Sequence, residues 1–224
     1  MSQHRHPPFE CQTMRKYIIM GPQGSGKGTQ AKLLKKDFDL THFSVGDIFR
    51  WHVQAHTKLA ARIKRLIEVG SLVPDDIVET IIRRRLDEHD WNYGFILDGF
   101  PRNIEQARFF LETYSIDKVI YIDVPQQITM ERALARRICG HCGLDYNLFF
   151  HRPEKKDACD VCGGPLIARA DDNEASLKKR LQDFNGKTVP ALRMFEAKGL
   201  AIHVDGTQDR NAVQAEIRTK LGLS

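Results

Sequence analysis

The chain has 224 residues, of which 42% are hydrophobic and 28% charged, and its formal net charge is +5. This composition is typical of one α/β domain with insertions, or of two small domains, and it excludes a disordered or fibrous chain. No apolar run approaches the roughly 18 residues needed to span a bilayer, and the first residues lack the apolar stretch of a secretion signal, so we expect a cytoplasmic protein without a membrane partner.

Residues 1–13 are predicted to be a disordered extension, because they contain Pro7 and Pro8 and show no periodic apolar pattern. A mitochondrial transit peptide is the alternative, which the short length and Glu10 disfavour. Cys11 is predicted to be a free thiol, since the other four cysteines form two pairs.

Four short apolar runs predict buried parallel strands, at 17–20, 95–97, 119–122 and 200–204. Helical periodicity lies between them and is clearest at 59–67 and 77–86. Because strands and helices alternate along the chain, we expect an α/β fold with a doubly wound, mostly parallel sheet.

A glycine-rich segment follows the first predicted strand and precedes a helical pattern. It matches the phosphate-loop pattern G-x-x-x-x-G-K, with Gly28 in the usual Ser/Thr place and Thr29 one residue later. Glycines let backbone N–H groups turn towards a phosphate, and the lysine adds a mobile cation. The predicted phosphate ligands are Gly24, Ser25, Gly26, Lys27, Gly28 and Thr29. This motif alone does not separate a kinase from a switch or a motor.

The strand predicted at 95–97 is followed by Asp98, and Arg102 stands four residues later. A carboxylate after a buried strand, facing a phosphate loop, is suited to hold Mg²⁺ or its waters. An arginine beside it can bind a phosphate through two parallel hydrogen bonds.

Two C-x-x-C pairs interrupt the strand and helix pattern between about 136 and 170. Their 16-residue separation predicts a four-cysteine zinc ribbon with a structural ion, bound by Cys139, Cys142, Cys159 and Cys162. Two disulfides are the alternative, which the absence of a secretion signal disfavours. Iron could replace zinc in overexpressed protein.

Together, the G-x-x-G-x-G-K-G-T and D-G-F-P-R segments resemble the adenylate kinase family of nucleoside monophosphate kinases. The resemblance covers roughly residues 14–224, and the cysteines are similar to those of its zinc-bearing, long-lid subgroup. Further matching segments are Ser44–Asp47 with Arg50, Gly70–Val73, Arg136–Arg137, Arg169 with Asp171–Asp172, Arg180 and Val204–Thr207.

The resemblance implies a P-loop protein with a five-stranded parallel sheet, an inserted monophosphate-binding arm and a zinc-ribbon lid. The implied boundaries are 14–43, 74–134 and 173–224 for the core, 44–73 for the AMP-binding arm and 135–172 for the lid. The implied reaction is reversible phosphoryl transfer from ATP to AMP, giving two ADP, with Mg²⁺. The family habit is a monomer, and no nucleic-acid partner is expected.

The resemblance also assigns roles to residues. The catalytic set is Lys27, Asp98, Arg102, Arg136, Arg137, Arg169 and Arg180, with Asp98 orienting water on Mg²⁺. ATP binding adds Arg132 and Arg136 to the phosphate loop. AMP binding is assigned to Ser44, Val45, Arg50, Leu72, Val73, Gly99, Arg102, Gln106, Arg169 and Arg180. Asp171 and Asp172 are expected to make closure or hinge contacts.

The acceptor base and the class of protein have alternatives. Val45 replaces the threonine usual in adenine-preferring members, which keeps a UMP/CMP-type kinase open, whereas Gln106 matches the glutamine that reads adenine. The preference between ATP and GTP as donor is open. A zinc-ribbon nucleic-acid binder that uses its nucleotide site as a switch is the alternative from another class, suggested by the net charge and the aromatic residues of the insert.

Overall fold

The computed structural model describes residues 15–91, 93–169 and 171–223. The predictions for residues 1–13, including the Cys11 thiol, lie outside the described residues.

A five-stranded parallel sheet with the order β2-β3-β1-β4-β8 forms the centre of the molecule. Its strands are β1 (Lys16–Met20), β2 (Thr41–Ser44), β3 (Phe95–Asp98), β4 (Lys118–Asp123) and β8 (Ala201–Asp205). The expectation of an α/β fold with a parallel sheet is confirmed. The apolar runs predicted four of these strands; β2 escaped that pattern, because its four residues are only half-buried.

Nine α-helices are present among the described residues. They are α1 (Lys27–Phe38), α2 (Val45–Gln54), α3 (Lys58–Glu68), α4 (Asp75–Asp87), α5 (Ile104–Thr113), α6 (Gln126–Leu134), α7 (Glu174–Asp183), α8 (Val189–Ala197) and α9 (Arg210–Lys220), with a π-helix at Phe184–Thr188 between α7 and α8. Polar side chains cap the amino ends of α2 and α5 near the sheet edge. The Ser44 side chain accepts from the Asp47 N–H, and the Asn103 side chain accepts from the Gln106 N–H.

The two faces of the sheet pack into two apolar clusters. Successive residues of β1 alternate between them: Ile18 and Met20 join one cluster, and Tyr17 and Ile19 join the other. All four side chains are nearly inaccessible to solvent. The sheet is therefore buried on both faces, as expected of parallel strands covered by helices.

A second, smaller sheet lies between α6 and α7. Its antiparallel strands are β5 (Arg136–Cys139), β6 (Asp145–Asn147) and β7 (Leu166–Ile167), in the order β6-β5-β7. We call residues 135–172 the lid segment. Among its described residues, the apolar cluster has four buried members: Cys139, Tyr146, Cys159 and Leu166.

Within the described parts of the chain, no helix combines the length and the apolar character that crossing a bilayer takes.

Candidate active site

The phosphate loop connects β1 to α1 at the carboxyl edge of the main sheet. Gly24 and Gly26 have φ values of 88° and 91°, which L side chains rarely adopt. A Cβ on Gly24 would lie 2.2 Å from the Thr129 carbonyl oxygen of α6, so only glycine fits there. The Lys27 ammonium donates to the Pro22 carbonyl at 3.2 Å. The loop therefore surrounds the amino end of α1, where backbone N–H groups and the helix dipole favour an anion.

This loop forms one wall of a cavity of about 650 Å³, which extends to α2, α4, α5 and the lid segment. Predicted site residues that line it are Gly24, Ser25, Gly26, Lys27, Gly28, Thr29, Ser44, Val45, Arg50, Leu72, Val73, Asp98, Gly99, Arg102, Gln106, Arg132, Arg136, Arg169 and Arg180. Arg137 is not among the lining residues. Segments far apart in sequence thus meet around a single space.

Arg137 differs from the prediction because of its place on β5. Its Nη1 donates to the Leu134 and Arg136 carbonyl oxygens at 2.9 and 2.7 Å. Successive residues of a strand point to opposite faces, so Arg136 and Arg137 cannot both face the cavity. The structure places Arg136 there.

Positive charges converge at the middle of the cavity. Burial lowers the pKa of Lys27 to about 8, and although Asp98 opposes the shift, the guanidinium groups of Arg102, Arg136 and Arg180 add to it. Burial and the nearby Arg180 likewise lower the pKa of Arg102 to about 10. Such clustered cations are costly without anions between them, and phosphates are the anions that suit guanidinium forks.

Aspartates of the lid segment pair with these arginines. Arg136 donates from Nε and Nη2 to Asp172 at 2.7 and 2.5 Å, and Arg180 donates to Asp171 at 2.6 Å. Both aspartates thus form ion pairs with arginines that line the cavity, and their expected role in closure or hinge contacts stays a prediction.

A third carboxylate connects the lid segment with the core. Asp145 on β6 accepts from Arg169 Nη2 at 2.8 Å and also pairs with the Lys32 ammonium of α1. Both charges lower the pKa of Asp145, against the opposing effect of burial. Sequence reasoning missed this bridge, since Lys32 and Asp145 are 113 residues apart.

Asp98 ends β3 directly below the phosphate loop. Burial would raise its pKa, but the neighbouring His42 and the charge of Lys27 hold the pKa below its usual value. The His42 Nε2 lies 3.8 Å from Asp98 Oδ2, while Asp98 Oδ1 is buried and has no hydrogen-bond partner among the described residues. An ionised carboxylate with an unused buried oxygen fits a hydrated Mg²⁺ beside bound phosphates. Sequence reasoning missed His42, which lies on the unpredicted strand β2.

The opposite end of the cavity is formed by α2, α4 and α5. Val45 is buried in the apolar core at the start of α2, and Arg50 pairs with Asp47 one turn further on. Gln106 is only 1% exposed although it is polar. This end therefore combines an apolar wall with an arginine and one buried amide.

Arg132 lies beside the phosphate loop at the other end. Its guanidinium donates to the Gly206 and Thr207 carbonyl oxygens at 2.7 and 3.3 Å, and it lies 5.2 Å from the centre of the Phe150 ring. A flat cation and an aromatic ring facing each other can both stack on a nucleotide base.

The four cysteines of the lid segment form one cluster, in which all sulfur atoms lie within 4.8 Å of one another. The Cys139–Cys162 and Cys142–Cys159 sulfur distances are 3.4 and 3.6 Å. They are free thiols, since a disulfide needs about 2.0 Å. Metal–sulfur bonds of about 2.3 Å in a tetrahedron place sulfurs about 3.8 Å apart, so the cluster can hold a metal ion.

Hydrogen bonds support the thiolate form that a metal requires. The Tyr146 hydroxyl donates to Cys159 Sγ at 3.4 Å and lowers the pKa of this thiol to about 6. The N–H groups of Cys142 and His141 donate to Cys139 Sγ at 3.4 Å and lower the pKa of Cys139.

A parallel sheet with a phosphate loop at its carboxyl edge, and a cavity lined by arginines, defines a P-loop nucleotide-binding protein of the phosphotransferase kind. The adenylate kinase family model matches residues 19–200. An adenylate kinase of Bacillus licheniformis is 43% identical over 210 residues, which cover 92% of this chain and 97% of that protein. An adenylate kinase of Clostridium tetani is 40% identical with the same coverage. The chain belongs to the adenylate kinase family.

Proposed function

We propose that the chain binds ATP and AMP at the two ends of the cavity and catalyses reversible phosphoryl transfer to give two ADP. Membership in the adenylate kinase family supports this reaction. The observation that carries it is the convergence of Lys27, Arg102, Arg136 and Arg180 between the phosphate loop and Gln106. The relatives favour neither the pyrimidine kinase nor the nucleic-acid-binding alternative.

The proposed donor site consists of the phosphate loop and Arg132. Backbone N–H groups of residues 24–29 and the Lys27 ammonium hold the donor phosphates, and Arg132 stacks on the donor base. Because base stacking tolerates different bases, we expect GTP to replace ATP to some extent.

The proposed acceptor site lies at the α2, α4 and α5 end. Arg50 and Arg102 bind the monophosphate, and Gln106 reads the base edge. The residues Ser44, Val45, Leu72, Val73 and Gly99 form the surrounding wall.

Charge neutralisation is the main catalytic task, because the acceptor oxygen of AMP is already ionised and needs no general base. Arg136, Arg169 and Arg180 surround the transferring group and stay charged throughout. When these arginines bind the transferring group, they exchange their ion pairs with Asp172, Asp145 and Asp171 for contacts with phosphate oxygens. Arg137 is left out of this set, because it does not line the cavity and its guanidinium donates to carbonyl oxygens of its own strand and of α6.

The chemistry that Mg²⁺ would supply when bound with ATP is to offset the negative charge of the phosphates. Asp98 is the residue proposed to hold its water shell, and the low pKa of Asp98 keeps the carboxylate ionised at neutral pH. Gly28 offers no hydroxyl at the usual ligand position of the phosphate loop.

We propose the division expected above: a core of 14–43, 74–134 and 173–224, an AMP-binding arm of 44–73 and a lid of 135–172. The packing of α2 against α3, and the separate sheet and apolar cluster of the lid segment, support it. The cysteine cluster would hold Zn²⁺ as a structural ion, since four thiolates leave no open position for water. Closure of the lid excludes water, which would otherwise hydrolyse the activated phosphoryl group.

A coupled assay of ADP formation tests the proposal, with Mg-ATP and each of AMP, UMP, CMP and GMP as acceptor, on protein of measured zinc content. Rapid reaction with AMP is expected, and slow or no reaction with UMP and GMP. Failure of every acceptor in zinc-replete protein would contradict the proposal. The monomeric state and the cytoplasmic location stay predictions; light scattering tests the first.

A further inference from the structure

A polar network at the amino ends of α4 and α5 fixes the side-chain amide of Gln106. The Gln106 Nε2 donates to Asp75 Oδ1 at 2.7 Å, and Gln106 Oε1 accepts from the Arg102 backbone N–H at 2.8 Å. Gln106 is buried and lines the cavity. Two of the four hydrogen-bonding positions of the amide are therefore used inside the protein.

Both partners of this amide allow only one orientation. An ionised carboxylate such as that of Asp75 only accepts, and a backbone N–H such as that of Arg102 only donates. Rotating the amide by 180° would set oxygen against carboxylate oxygen and NH₂ against N–H, which leaves two buried groups unpaired.

Asp75 itself is held in place. Asn103 Nδ2 donates to its two carboxylate oxygens at 2.9 and 3.0 Å, and Asn103 Oδ1 accepts from the Gln106 backbone N–H at 2.8 Å. The network thus joins the first turns of α4 and α5.

We infer that Asp75 is a positioning residue for base specificity. By holding the Gln106 amide in one orientation, it fixes Nε2 as the atom that donates to the base of the acceptor nucleotide and Oε1 as the atom that accepts from it. This inference rests on the proposed function, in which Gln106 reads that base. One Nε2–H and one Oε1 lone pair remain for the base edge.

The fixed direction discriminates between base edges of opposite polarity. Adenine presents a donor at N6 and an acceptor at N1, whereas hypoxanthine, guanine and uracil present a carbonyl acceptor and a ring N–H donor. An amide held in one orientation can pair with only one of these two arrangements of donor and acceptor. Because AMP is the proposed acceptor nucleotide, that arrangement is the one that adenine presents. Cytosine shares the polarity of adenine, so this device rejects UMP but not CMP, which the depth of the cavity would have to exclude.

Inosine monophosphate tests the inference, because at this reading edge it differs from AMP only in polarity. The variant is Asp75→Asn, whose amide can donate or accept and so no longer fixes the direction. The matched control is Asp76→Asn, which removes the neighbouring charge from the same first turn of α4 and has no hydrogen bond to Gln106. The measurement is kcat/KM with AMP and with inosine monophosphate for each protein.

We expect Asp75→Asn to lower the AMP-to-inosine-monophosphate ratio about tenfold, the order of one hydrogen bond to a charged group. Asp76→Asn is expected to keep the wild-type ratio, although both variants lose a similar stabilising charge at the helix start. An unchanged ratio in Asp75→Asn would overturn the inference and leave Asp75 a helix-start residue.

Hydrogen exchange of side-chain amides in the wild-type protein provides a second test, which does not depend on a folded variant. Gln127 is the comparison, because its Nε2 also donates to a carboxylate, that of Glu131 at 3.1 Å, but at an exposed position. The Gln106 amide protons are expected to exchange much more slowly than those of Gln127, and equal rates would overturn the inference. Absence of AMP phosphorylation in the wild type would instead contradict the proposed function, while the exchange measurement still decides on the fixed amide.

Discussion

The core and the lid segment stabilise their folds in different ways. The main sheet is covered on both faces by apolar clusters, whose strand residues are almost inaccessible to solvent. In the described part of the lid segment, the apolar cluster has four buried residues, and two of them are cysteines. The core can therefore fold by burial of apolar surface, whereas the lid segment has little apolar surface to bury, and we expect a metal ion at its cysteines to stabilise it.

Both regions contribute residues to the candidate active site. The phosphate loop and Asp98 are attached to the main sheet, while Arg136 and Arg169 lie in the lid segment, which contains the four-cysteine cluster. Metal loss should remove part of the active site and leave most of the fold.

The largest effect is expected from breaking the cysteine cluster. Cys159→Ser should unfold the lid segment and abolish phosphoryl transfer, because structural zinc contributes on the order of 10 kcal/mol to such small units. The core transition in calorimetry should persist. The measurements are the zinc released from the protein, the near-ultraviolet circular dichroism and the rate of ADP formation.

His141→Asn is the matched control, since His141 is an exposed neighbour of the cluster whose ring is outside the four-sulfur site. It should keep zinc and activity. Simultaneous loss of the core transition in Cys159→Ser would show that the two regions do not fold separately.

Removing one lid arginine should be the next largest effect. Arg136→Ala is expected to lower kcat about 10³-fold, the lower range for an arginine that stabilises a phosphoryl transition state, without changing the core transition. Arg152→Ala is the control, because this exposed lid arginine donates to the Leu148 carbonyl and is not among the cavity-lining residues. Arg137→Ala should have a much smaller effect than Arg136→Ala; equal effects would contradict the placement of Arg137 outside the cavity.

The buried lysine of the core should make ATP binding depend on pH. The pKa of Lys27 in the free protein is about 8, below its ordinary value of 10.5, and bound phosphates should raise it. Above pH 8 the free protein has released a proton that the complex retains, so binding takes up as much as one proton and affinity falls by up to about tenfold per pH unit.

Calorimetric titration with Mg-ATP at pH 9, in buffers of different ionisation enthalpy, measures this uptake. The Lys27→Arg variant should bind Mg-ATP without taking up this proton, since arginine stays charged at this pH. Equal proton uptake in both proteins would assign the titration to another group.

The smallest effect is expected at the bridge between the two regions. Lys32→Gln and Asp145→Asn each remove the ion pair that joins α1 to β6, and exposed pairs contribute at most about 1 kcal/mol, so lid opening should shift about two- to fivefold. Fluorescence energy transfer between the lid segment and α1 measures the shift. Asp145→Asn also removes the carboxylate that Arg169 contacts, so the double variant should equal Asp145→Asn alone, and additive effects of the two substitutions would show that Lys32 and Asp145 are not coupled.

Sequence patterns predicted the parts of this molecule that depend on local order. The phosphate loop, four strands of the sheet and the cysteine pairs are each encoded within a few neighbouring residues, through glycine conformations, apolar runs and ligand spacing. Strand β2 was missed by these patterns, because its half-buried residues THFS show no apolar run.

The tertiary structure decided the relations between distant residues. The sequence alone placed both Arg136 and Arg137 in the catalytic set. Only the packing of β5 directs Arg136, and not Arg137, into the cavity. Likewise, the pairing of Lys32 with Asp145 and the fixed direction of the Gln106 amide exist only where separate elements meet. The physical reason is that a motif specifies backbone conformation and chemical type, whereas the orientation of a side chain depends on the neighbours that the fold brings to it.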